Sequence, residues 1–388
     1  MNQQRDERNW SGSLSVNGDN LHGNFRRLLA SEVALDAGLS QLGTLLFLSL
    51  SILIFSATAS AQTAGAIHYL AATPQTVTWG YFDAHRAPVL RIKNGDTVEV
   101  QTLVAGGLER LEAAGVPADQ IQPVLRDIDR EVKDRRHGPH ILTGPIWIEG
   151  AEPGDVLEVK VKSIHLAIPY AVNAMRPGSG LLANEFPYAR LKVTPLDMAR
   201  NVAKFSHGVE IPIRPFFGVM GVAPPAATGR VSSGPPWMFG GNMDNKELVA
   251  GSTVYLPVFT KGALFEVGDG HAAMGDGEVC VTALETSLTG SLQFFVRKDM
   301  KILWPRAETP QYYITMGFAP SLEESAKIAL RQMLDYLAKQ KHLSRDYAYM
   351  LASDAVDFHI EEAVDGNDGV DALLPKKIFV HLTASEHH

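Results

Sequence analysis

Residues 268–278 read GDGHAAMGDGE, a stretch of eleven residues that holds four glycines and four potential metal or proton ligands. Apolar, strand-like residues flank it on both sides, at 263–267 and at 279–284. Two such runs around a glycine-rich turn predict a β-hairpin whose tip carries the ligands. Glycine and aspartate also suit an ordinary tight turn, but such a turn does not require His271 or Glu278. We therefore interpret the stretch as part of a catalytic or metal-binding site on a sheet.

Short alternating runs of apolar and polar residues, separated by Gly, Pro and Asp, continue outward from this stretch through most of the chain after residue 61. A small-residue turn followed by an alternating strand occurs three times, at 94–100 (NGDTVEV), 153–159 (PGDVLEV) and 250–256 (AGSTVYL). Alternation of period two gives each strand one apolar face. The pattern predicts a mainly β fold with α+β character, built from antiparallel β-sandwich or β-barrel units.

Two helical segments are predicted between the strands. Residues 118–135 place apolar side chains on one helical face, which predicts a helix inside an insertion that spans about 105–136. A capping box at Ser321 and Glu324 predicts the start of a C-terminal helix. A shorter helix is expected after Ser344, followed by strands at 356–364 and 378–382.

The centre of the chain, residues 212–245, is rich in proline and glycine and shows no clear periodicity. Long irregular segments inside a compact protein are usually functional or disordered. Four aromatic residues favour order here, namely Phe216, Phe217, Trp237 and Phe239. We therefore expect this segment to form the wall of a pocket.

The composition is that of a globular protein: the chain has 388 residues, of which 45% are hydrophobic and 20% are charged. Its 43 acidic and 35 basic residues give a formal charge of -8, and no long basic run is present. Nucleic-acid binding is therefore not expected, because it requires clustered Lys and Arg. The single cysteine, Cys280, excludes an intrachain disulfide, and we expect it to be a buried thiol in a strand rather than a nucleophile.

The N-terminal region contains an apolar run, residues 42–57 (LGTLLFLSLSILIFSA), which follows Arg26 and Arg27 and precedes Ala59-Ser60-Ala61. This order is typical of a secretory signal peptide that is cleaved after Ala61. The alternative is a membrane anchor, but the run is shorter than the ~20 apolar residues that span a bilayer. We expect residues 1–61 to be a signal peptide or N-terminal extension. Residues 62–388 would then form a secreted or periplasmic catalytic domain that makes no contact with the membrane after cleavage.

Three residues are the preferred ligands of a divalent metal. Asp244 lies in GGNMDN, residues 240–245, where the glycines allow the backbone to approach a ligand closely. His271 and Glu278 both lie in residues 268–278. A metal held by imidazole and carboxylates can activate water against an amide. Zn²⁺ is the first choice, with Ca²⁺ as the alternative if carboxylates predominate.

Three further residues are candidates for catalytic proton transfer. His140 precedes a predicted strand and is a candidate general base or a further ligand. Asp269 and Glu149 are the candidate carboxylate bases, provided that one of them is partly desolvated.

Four stretches of the chain resemble motifs of the acetamidase/formamidase family. They are residues 142–155 (LTGPIWIEGAEPGD), 240–244 (GGNMD), 267–278 (VGDGHAAMGDGE), and 355–358 (AVDF) with 364–366 (VDG). The resemblance extends from about residue 68 to residue 379. It implies a mostly β architecture, hydrolysis of a short linear amide to a carboxylate and ammonia, and a homodimer or higher homo-oligomer.

The same resemblance implies roles for the candidate residues. Asp244, His271 and Glu278 occupy positions assigned to metal binding, and the neighbouring polar shell contains His140, Glu149 and Asp269. The export-like N-terminus and the insertion at 105–136 depart from the simplest family pattern, which leaves the physiological substrate open and includes a larger amide. The alternative function, from a different class, is a non-catalytic periplasmic β-protein that binds a small ligand.

Overall fold

The computed structural model describes residues 65–135 and 138–380. The predicted signal region, residues 1–61, lies outside the described residues and stays a prediction. In chain order the described strands are β1 (Ile67–Leu70), β2 (Val77–Trp79), β3 (Tyr81–Phe82), β4 (Leu90–Ile92), β5 (Thr97–Gln101), β6 (Ile141–Ile148), β7 (Val156–Leu166), β8 (Tyr170–Met175), β9 (Arg190–Asp197), β10 (Val202–Ser206), β11 (Val209–Pro212), β12 (Phe216–Gly221), β13 (Val231–Ser232), β14 (Gly240–Asn242), β15 (Thr253–Pro257), β16 (Phe265–His271), β17 (Glu285–Thr286), β18 (Leu288–Arg297), β19 (Arg306–Glu308), β20 (Tyr312–Ala319), β21 (Asp357–Glu362) and β22 (Asp368–Pro375). The described helices are α1 (Gly107–Ala113), α2 (Pro123–Glu131), α3 (Leu322–Gln340) and α4 (Arg345–Ala355), with 3-10 turns at Ala226–Thr228 and Lys376–Ile378.

The strands form two large sheets. The nine-stranded sheet has the order β1-β5-β18-β7-β15-β19-β20-β22-β21. The eleven-stranded sheet has the order β11-β10-β9-β8-β17-β16-β12-β14, and β6 joins it through β16 while pairing with β2 and β4. Among the described strands only the pairs β1–β5 and β4–β6 are parallel. The mainly antiparallel β prediction is confirmed, and neither described sheet closes into a barrel.

One apolar core contains side chains from both sheets. Phe265 of β16 and Phe294 of β18 are fully buried, and their ring centroids lie 5.1 Å apart in an edge-to-face arrangement. Burial of each such side chain stabilises the fold by about 1.5–3 kcal/mol. All seven residues of β16 are buried. This strand therefore offers a rigid support for the polar residues that it carries.

The turn–strand segments predicted at 94–100, 153–159 and 250–256 form strands of the same sheet. Gly95, Gly154 and Gly251 have φ angles of 93°, 88° and 93°, in the left-handed region that glycine enters without steric cost. They precede β5, β7 and β15, all in the nine-stranded sheet, where β7 and β15 are neighbours. The predicted turn-strand units are therefore confirmed, and their turns have one conformational requirement in common.

The insertion is helical, but it contains two short helices rather than one helix over 118–135. Pro123 occupies the first turn of α2. Proline favours that position and disfavours a continuous helix through it, because its ring clashes with the preceding turn. Leu125 and Ile128 of α2 are fully buried and pack in a cluster with Trp79 and Tyr170. The apolar face predicted from the sequence is therefore real, and it attaches the insertion to the eleven-stranded sheet.

The C-terminal helices begin at the predicted caps. Ser321 Oγ accepts a hydrogen bond from the backbone N–H of Glu324, and Ser344 caps α4 in the same way. None of the helices described is both long and apolar enough to cross a membrane. The strand predicted at 378–382 is wrong in its described part, where the chain forms the 3-10 turn Lys376–Ile378. The last described strand is β22 instead, and its ladder ends at Pro375, which has no N–H to donate.

Candidate active site

Residues 268–278 do not form the predicted hairpin tip. The first four of them lie inside β16, and residues 272–284 form no regular strand. A Cβ at Gly268 would come within 2.7 Å of the carbonyl oxygen of Ile141 in β6, and one at Gly270 within 2.7 Å of the carbonyl oxygen of Thr286 in β17. These glycines thus serve the close approach of neighbouring strands rather than a turn. The prediction failed because glycine has the same sequence signature in both roles.

His271, the last residue of β16, is the centre of a buried acidic cluster. Its cross-strand partner is Glu285 of β17, and its ring meets the ring of Phe216 edge-on at a centroid distance of 5.0 Å. The side chain is only 1% exposed. Four carboxylates surround the imidazole: Nε2 lies 3.2 Å from Asp269 Oδ2, 3.4 Å from Glu285 Oε1 and 3.9 Å from Glu278 Oε1, and Nδ1 lies 3.7 Å from Asp244 Oδ1.

Gly218 of β12 makes room for this convergence. A Cβ at this position would lie 2.3 Å from Asp244 Oδ1, 2.5 Å from Asp269 Oδ2 and 3.0 Å from His271 Cε1. The carbonyl oxygen of Gly218 also accepts hydrogen bonds from the backbone N–H groups of Met243 and Asp244, at 3.0 and 3.2 Å. One residue without a side chain therefore fixes Asp244 and leaves space for its carboxylate.

Three of the carboxylate residues have a strained backbone. The φ angles of Asp244, Asp269 and Glu278 are 46°, 54° and 42°, in the left-handed region that non-glycine residues rarely adopt. Each such residue costs of order 1–3 kcal/mol and persists only where the surrounding fold enforces it. Strain of this kind clusters at functional sites, and here it affects three residues whose side chains meet at one histidine.

Several buried polar atoms of the cluster have no hydrogen-bond partner among the described residues. They are both carboxylate oxygens of Asp244, Oδ1 of Asp269, both ring nitrogens of His271 and Oε2 of Glu285. The short distances from His271 Nε2 to the carboxylates lack hydrogen-bond alignment. Buried polar atoms are rarely left unpaired in proteins, and unpaired groups indicate water or an ion.

The donor set fits a divalent cation. Two groups of three residues offer ligand atoms that lie within 4.8 Å of one another: Asp244, His271 and Glu278, and Asp269, His271 and Glu285. Imidazole and carboxylate together suit Zn²⁺ and other transition metals, while carboxylates alone suit harder ions. The first group is the ligand set predicted from the sequence.

The pKa values of the carboxylates and of the histidine in this cluster are shifted because several acidic groups are buried together. Burial raises the pKa of Asp244 and Glu278 well above their ordinary values, and neighbouring carboxylates raise both further. Burial opposes ionisation of Asp269 as well, but the neighbouring imidazoles of His271 and His140 hold the pKa of this carboxyl below its usual range. Burial would lower the pKa of His271, yet Asp269 and other carboxylates raise it. A bound cation would supply positive charge where the carboxylates need it.

His140, just before β6, faces the same site. Its Nδ1 lies 2.9 Å from the carbonyl oxygen of Ser233, which can only accept, so Nδ1 carries the proton in this hydrogen bond. The other ring nitrogen, Nε2, then presents a lone pair 3.9 Å from Asp269 Oδ2. His140 is buried, with 6% exposure. Its ring is therefore oriented as a proton acceptor next to the acidic cluster.

A cavity of about 320 Å³ opens onto this arrangement. Its lining includes His140, Asp244, Asp269 and Glu278, and also Asp365, whose pKa burial raises to about 6. Asn242 Nδ2 donates to Asp365 Oδ2 at 2.6 Å. Most of the titratable groups of the cluster thus face one cavity, which is typical of an active site.

The segment 212–245 does form part of the cavity wall, through residues such as Gly234, Pro235 and Asn242. It is less irregular than its composition predicts, because it contains the buried strand β12 and also β13 and β14.

Cys280 lies outside any strand and is only half-buried, which corrects the expectation of a buried strand thiol.

The structure brings five of the six candidate residues together, and the exception is Glu149. This residue is exposed in the turn after β6, while His140 precedes the first residue of the same strand. The whole length of β6 therefore separates it from the cluster. An exposed carboxylate lacks the desolvation that a general base needs, so the structure does not support Glu149 in that role.

Sequence reasoning missed three residues of the site. Asp365 belongs to the motif at 364–366 and could have been chosen from it. Glu285 enters through its pairing with His271, which depends on the placement of β17 beside β16. Gly218 carries no signal in the sequence, because its role is only to leave space.

A model of the acetamidase/formamidase family matches residues 87–233 and 225–381, which is most of the chain. The chain belongs to the acetamidase/formamidase family. It is similar to the formamidase of Methylophilus methylotrophus, with 27% identity over 318 residues that cover 62% of this chain and 77% of that protein. This result confirms the resemblance found in the four motifs.

Solved structures of family members agree. A predicted acetamidase/formamidase from the thermophile Thermoanaerobacter tengcongensis is 30% identical, with a TM-score of 0.70 over 81% of this chain and 97% of that chain. The acetamidase of Yersinia enterocolitica is 28% identical, with a TM-score of 0.71 over 83% and 96%. The overall fold is thus shared with both solved structures.

Proposed function

We propose that the protein is an amidohydrolase that cleaves the carbon–nitrogen bond of short linear amides, of the formamide and acetamide type, to a carboxylate and ammonia. The observation that carries the proposal is the buried cluster around His271 in a chain of the acetamidase/formamidase family. The relatives named formamidase and acetamidase support the same reaction class.

Asp244, His271 and Glu278 would hold a divalent cation, with Asp269 and Glu285 as the carboxylates of the second group. Such a cation lowers the pKa of a bound water and polarises a carbonyl oxygen, which is the help that an uncharged amide needs. We expect Zn²⁺ before Ca²⁺, because an imidazole belongs to both ligand groups.

His140 moves the protons. As the oxygen of water attacks the amide carbon, His140 Nε2 accepts a proton from that water, and the carboxylate of Asp269 stabilises the resulting imidazolium. Nδ1–H of His140 donates to the carbonyl oxygen of Ser233 throughout, so this proton stays on Nδ1. When the carbon–nitrogen bond breaks, His140 returns the proton to the nitrogen, which leaves as ammonia. A positioned acid–base residue contributes about 10²–10⁴-fold to the rate.

The test is ammonia release from formamide, acetamide and propionamide by the wild type, by His271→Ala and by the control His165→Ala. His165 is an exposed histidine of β7 outside the cavity. We expect His271→Ala to lose more than about 100-fold in kcat/KM, because it removes the residue shared by both ligand groups. Saturable amide binding without ammonia release under any metal condition would support the non-catalytic ligand-binding alternative.

We further propose that residues 1–61 direct export and that the mature enzyme is a homo-oligomer. The order of charges, apolar run and small residues supports the first point. Intact mass of the protein recovered from a periplasmic fraction tests it, and light scattering of the purified protein tests the second. A full-length chain in that fraction would contradict cleavage after Ala61.

A further inference from the structure

The helical insertion brings a positive charge into the active cavity. Arg110 of α1 lines the same space as Asp244 and Glu278. Its Nη1 atom is buried and has no hydrogen-bond partner, and the guanidinium pairs with no carboxylate among the residues that the structure describes. A buried guanidinium nitrogen is costly to leave unpaired, so this arrangement indicates a ligand that would pair with it.

The position of Arg110 is fixed by the local backbone. Gly106, the residue before α1, has a φ angle of 75°, and a Cβ there would lie 2.3 Å from Arg110 Nε and 2.6 Å from Cζ. The N–H of Gly106 donates to the carbonyl oxygen of Pro139 at 3.0 Å, directly before His140. The guanidinium is therefore held against the backbone beside the catalytic histidine rather than extended into solvent.

The lining also holds five carboxylates, those of Asp244, Asp269, Glu278, Glu285 and Asp365, so an anionic group of a ligand must bind at the arginines and not at the cluster around His271. Two further features of the cavity fit such a ligand, larger than acetamide. Arg176 lies at an exposed part of the lining and adds a second positive charge. The volume of about 320 Å³ falls within the range of about 300–1,000 Å³ of small-molecule sites. Formamide and acetamide would fill only a small part of it. The planar guanidinium matches a carboxylate, to which it can donate two parallel hydrogen bonds.

We propose that the preferred substrate is a short linear amide with a carboxylate at its far end, whose amide group binds at the cluster around His271 while its carboxylate pairs with Arg110. This inference rests on the proposed amidohydrolase function and names its substrate class.

The experiment compares two substrates of nearly equal shape: succinamate, the monoamide of succinate, and succinamide, its neutral diamide. The measured quantity is the ratio of kcat/KM for succinamate to that for succinamide, from ammonia release. We expect a ratio above about 10 for the wild type. It should fall by about 10–100-fold in Arg110→Gln, as expected for the loss of a charge-assisted hydrogen bond, and less in Arg110→Lys, which keeps the charge.

The control is Arg130→Gln, which removes an exposed arginine of α2 that is paired with Asp127 and Glu131. It should keep the wild-type ratio. Equal kcat/KM values for succinamate and succinamide in the wild type would overturn the inference. An equal fall in kcat/KM for both substrates in Arg110→Gln would also overturn it, because it would show a structural role of Arg110.

Succinate binding, measured by calorimetry, separates this inference from the proposed function. If the enzyme releases ammonia from formamide and acetamide but shows no Arg110-dependent preference for succinamate, the proposal of an anionic substrate is overturned and amide hydrolysis is not. Failure to hydrolyse any amide, with succinate binding that is lost in Arg110→Gln, would overturn amide hydrolysis and support the anion site.

Discussion

Replacement of Gly218 by alanine tests whether the cluster depends on its geometry. The added Cβ would lie 2.3 Å from Asp244 Oδ1 and 2.5 Å from Asp269 Oδ2, whereas ordinary contact begins at about 3.4 Å. Each carboxylate must therefore move by about 1 Å. Gly218 does not have a left-handed φ, so alanine can adopt its backbone conformation in β12. The strand should form as before, while the side chains of the site are displaced.

A misplacement of about 1 Å in an active site can cost about 100-fold in rate. We therefore expect Gly218→Ala to lower kcat/KM for acetamide by about 100-fold or more and to reduce the metal content of the purified protein. Overpacking should lower the free energy of unfolding by about 1–3 kcal/mol, which leaves the protein folded.

The assay measures ammonia release, metal content by elemental analysis, and unfolding by circular dichroism on the same preparations. Gly275→Ala is the matched control, because a Cβ at Gly275 meets no atom within 4 Å although the residue lies in the same motif. Wild-type kcat/KM and metal content in Gly218→Ala would refute the role assigned to the convergence of the carboxylates at this glycine.

Two further predictions concern buried polar groups outside the ligand set. Burial raises the pKa of Glu266 to about 8, above its ordinary value of 4.5, so the folded state keeps a proton that the unfolded chain releases. The free energy of unfolding should therefore fall between about pH 4.5 and pH 8, by up to about 5 kcal/mol. Urea unfolding at pH 5 and pH 9 should show a weaker pH dependence in Glu266→Gln, and an equal dependence in both proteins would contradict the prediction. Asn245 Nδ2 donates to Glu361 Oε1 and Asp371 Oδ2 at 3.0 and 2.7 Å, so Asn245→Ala should cost about 1–3 kcal/mol in urea unfolding; an unchanged midpoint would exclude that role.

The parts of the fold that depend on local chemistry could be predicted from the sequence. The turns at Gly95, Gly154 and Gly251 and the cap at Ser321 follow from backbone preferences of single residues, which act within a few positions of the chain. Three of the four carboxylate residues that meet at His271, namely Asp244, Asp269 and Glu278, were also found, because histidine and carboxylates within glycine-rich segments have few structural uses.

The parts of the fold and of the site that depend on which strands are neighbours could not be predicted from the sequence. Glu285 reaches His271 only because β17 pairs with β16, and Gly218 matters only because β12 lies on the other side of β16. Glu149 was wrongly grouped with His140, since nearness in sequence along an extended strand means separation in space. The glycines of residues 268–270 were misread for a related reason: their requirement comes from adjacent strands and not from a turn.

The most direct test of the proposed site is ammonia release from formamide as the bound ion is removed and then restored, with metal content measured on each sample. We expect activity to fall in proportion to the metal content under chelation and to return when one divalent ion is supplied, in the wild type but not in His271→Ala. Undiminished hydrolysis by metal-free wild-type protein would contradict a metal-dependent mechanism at His271.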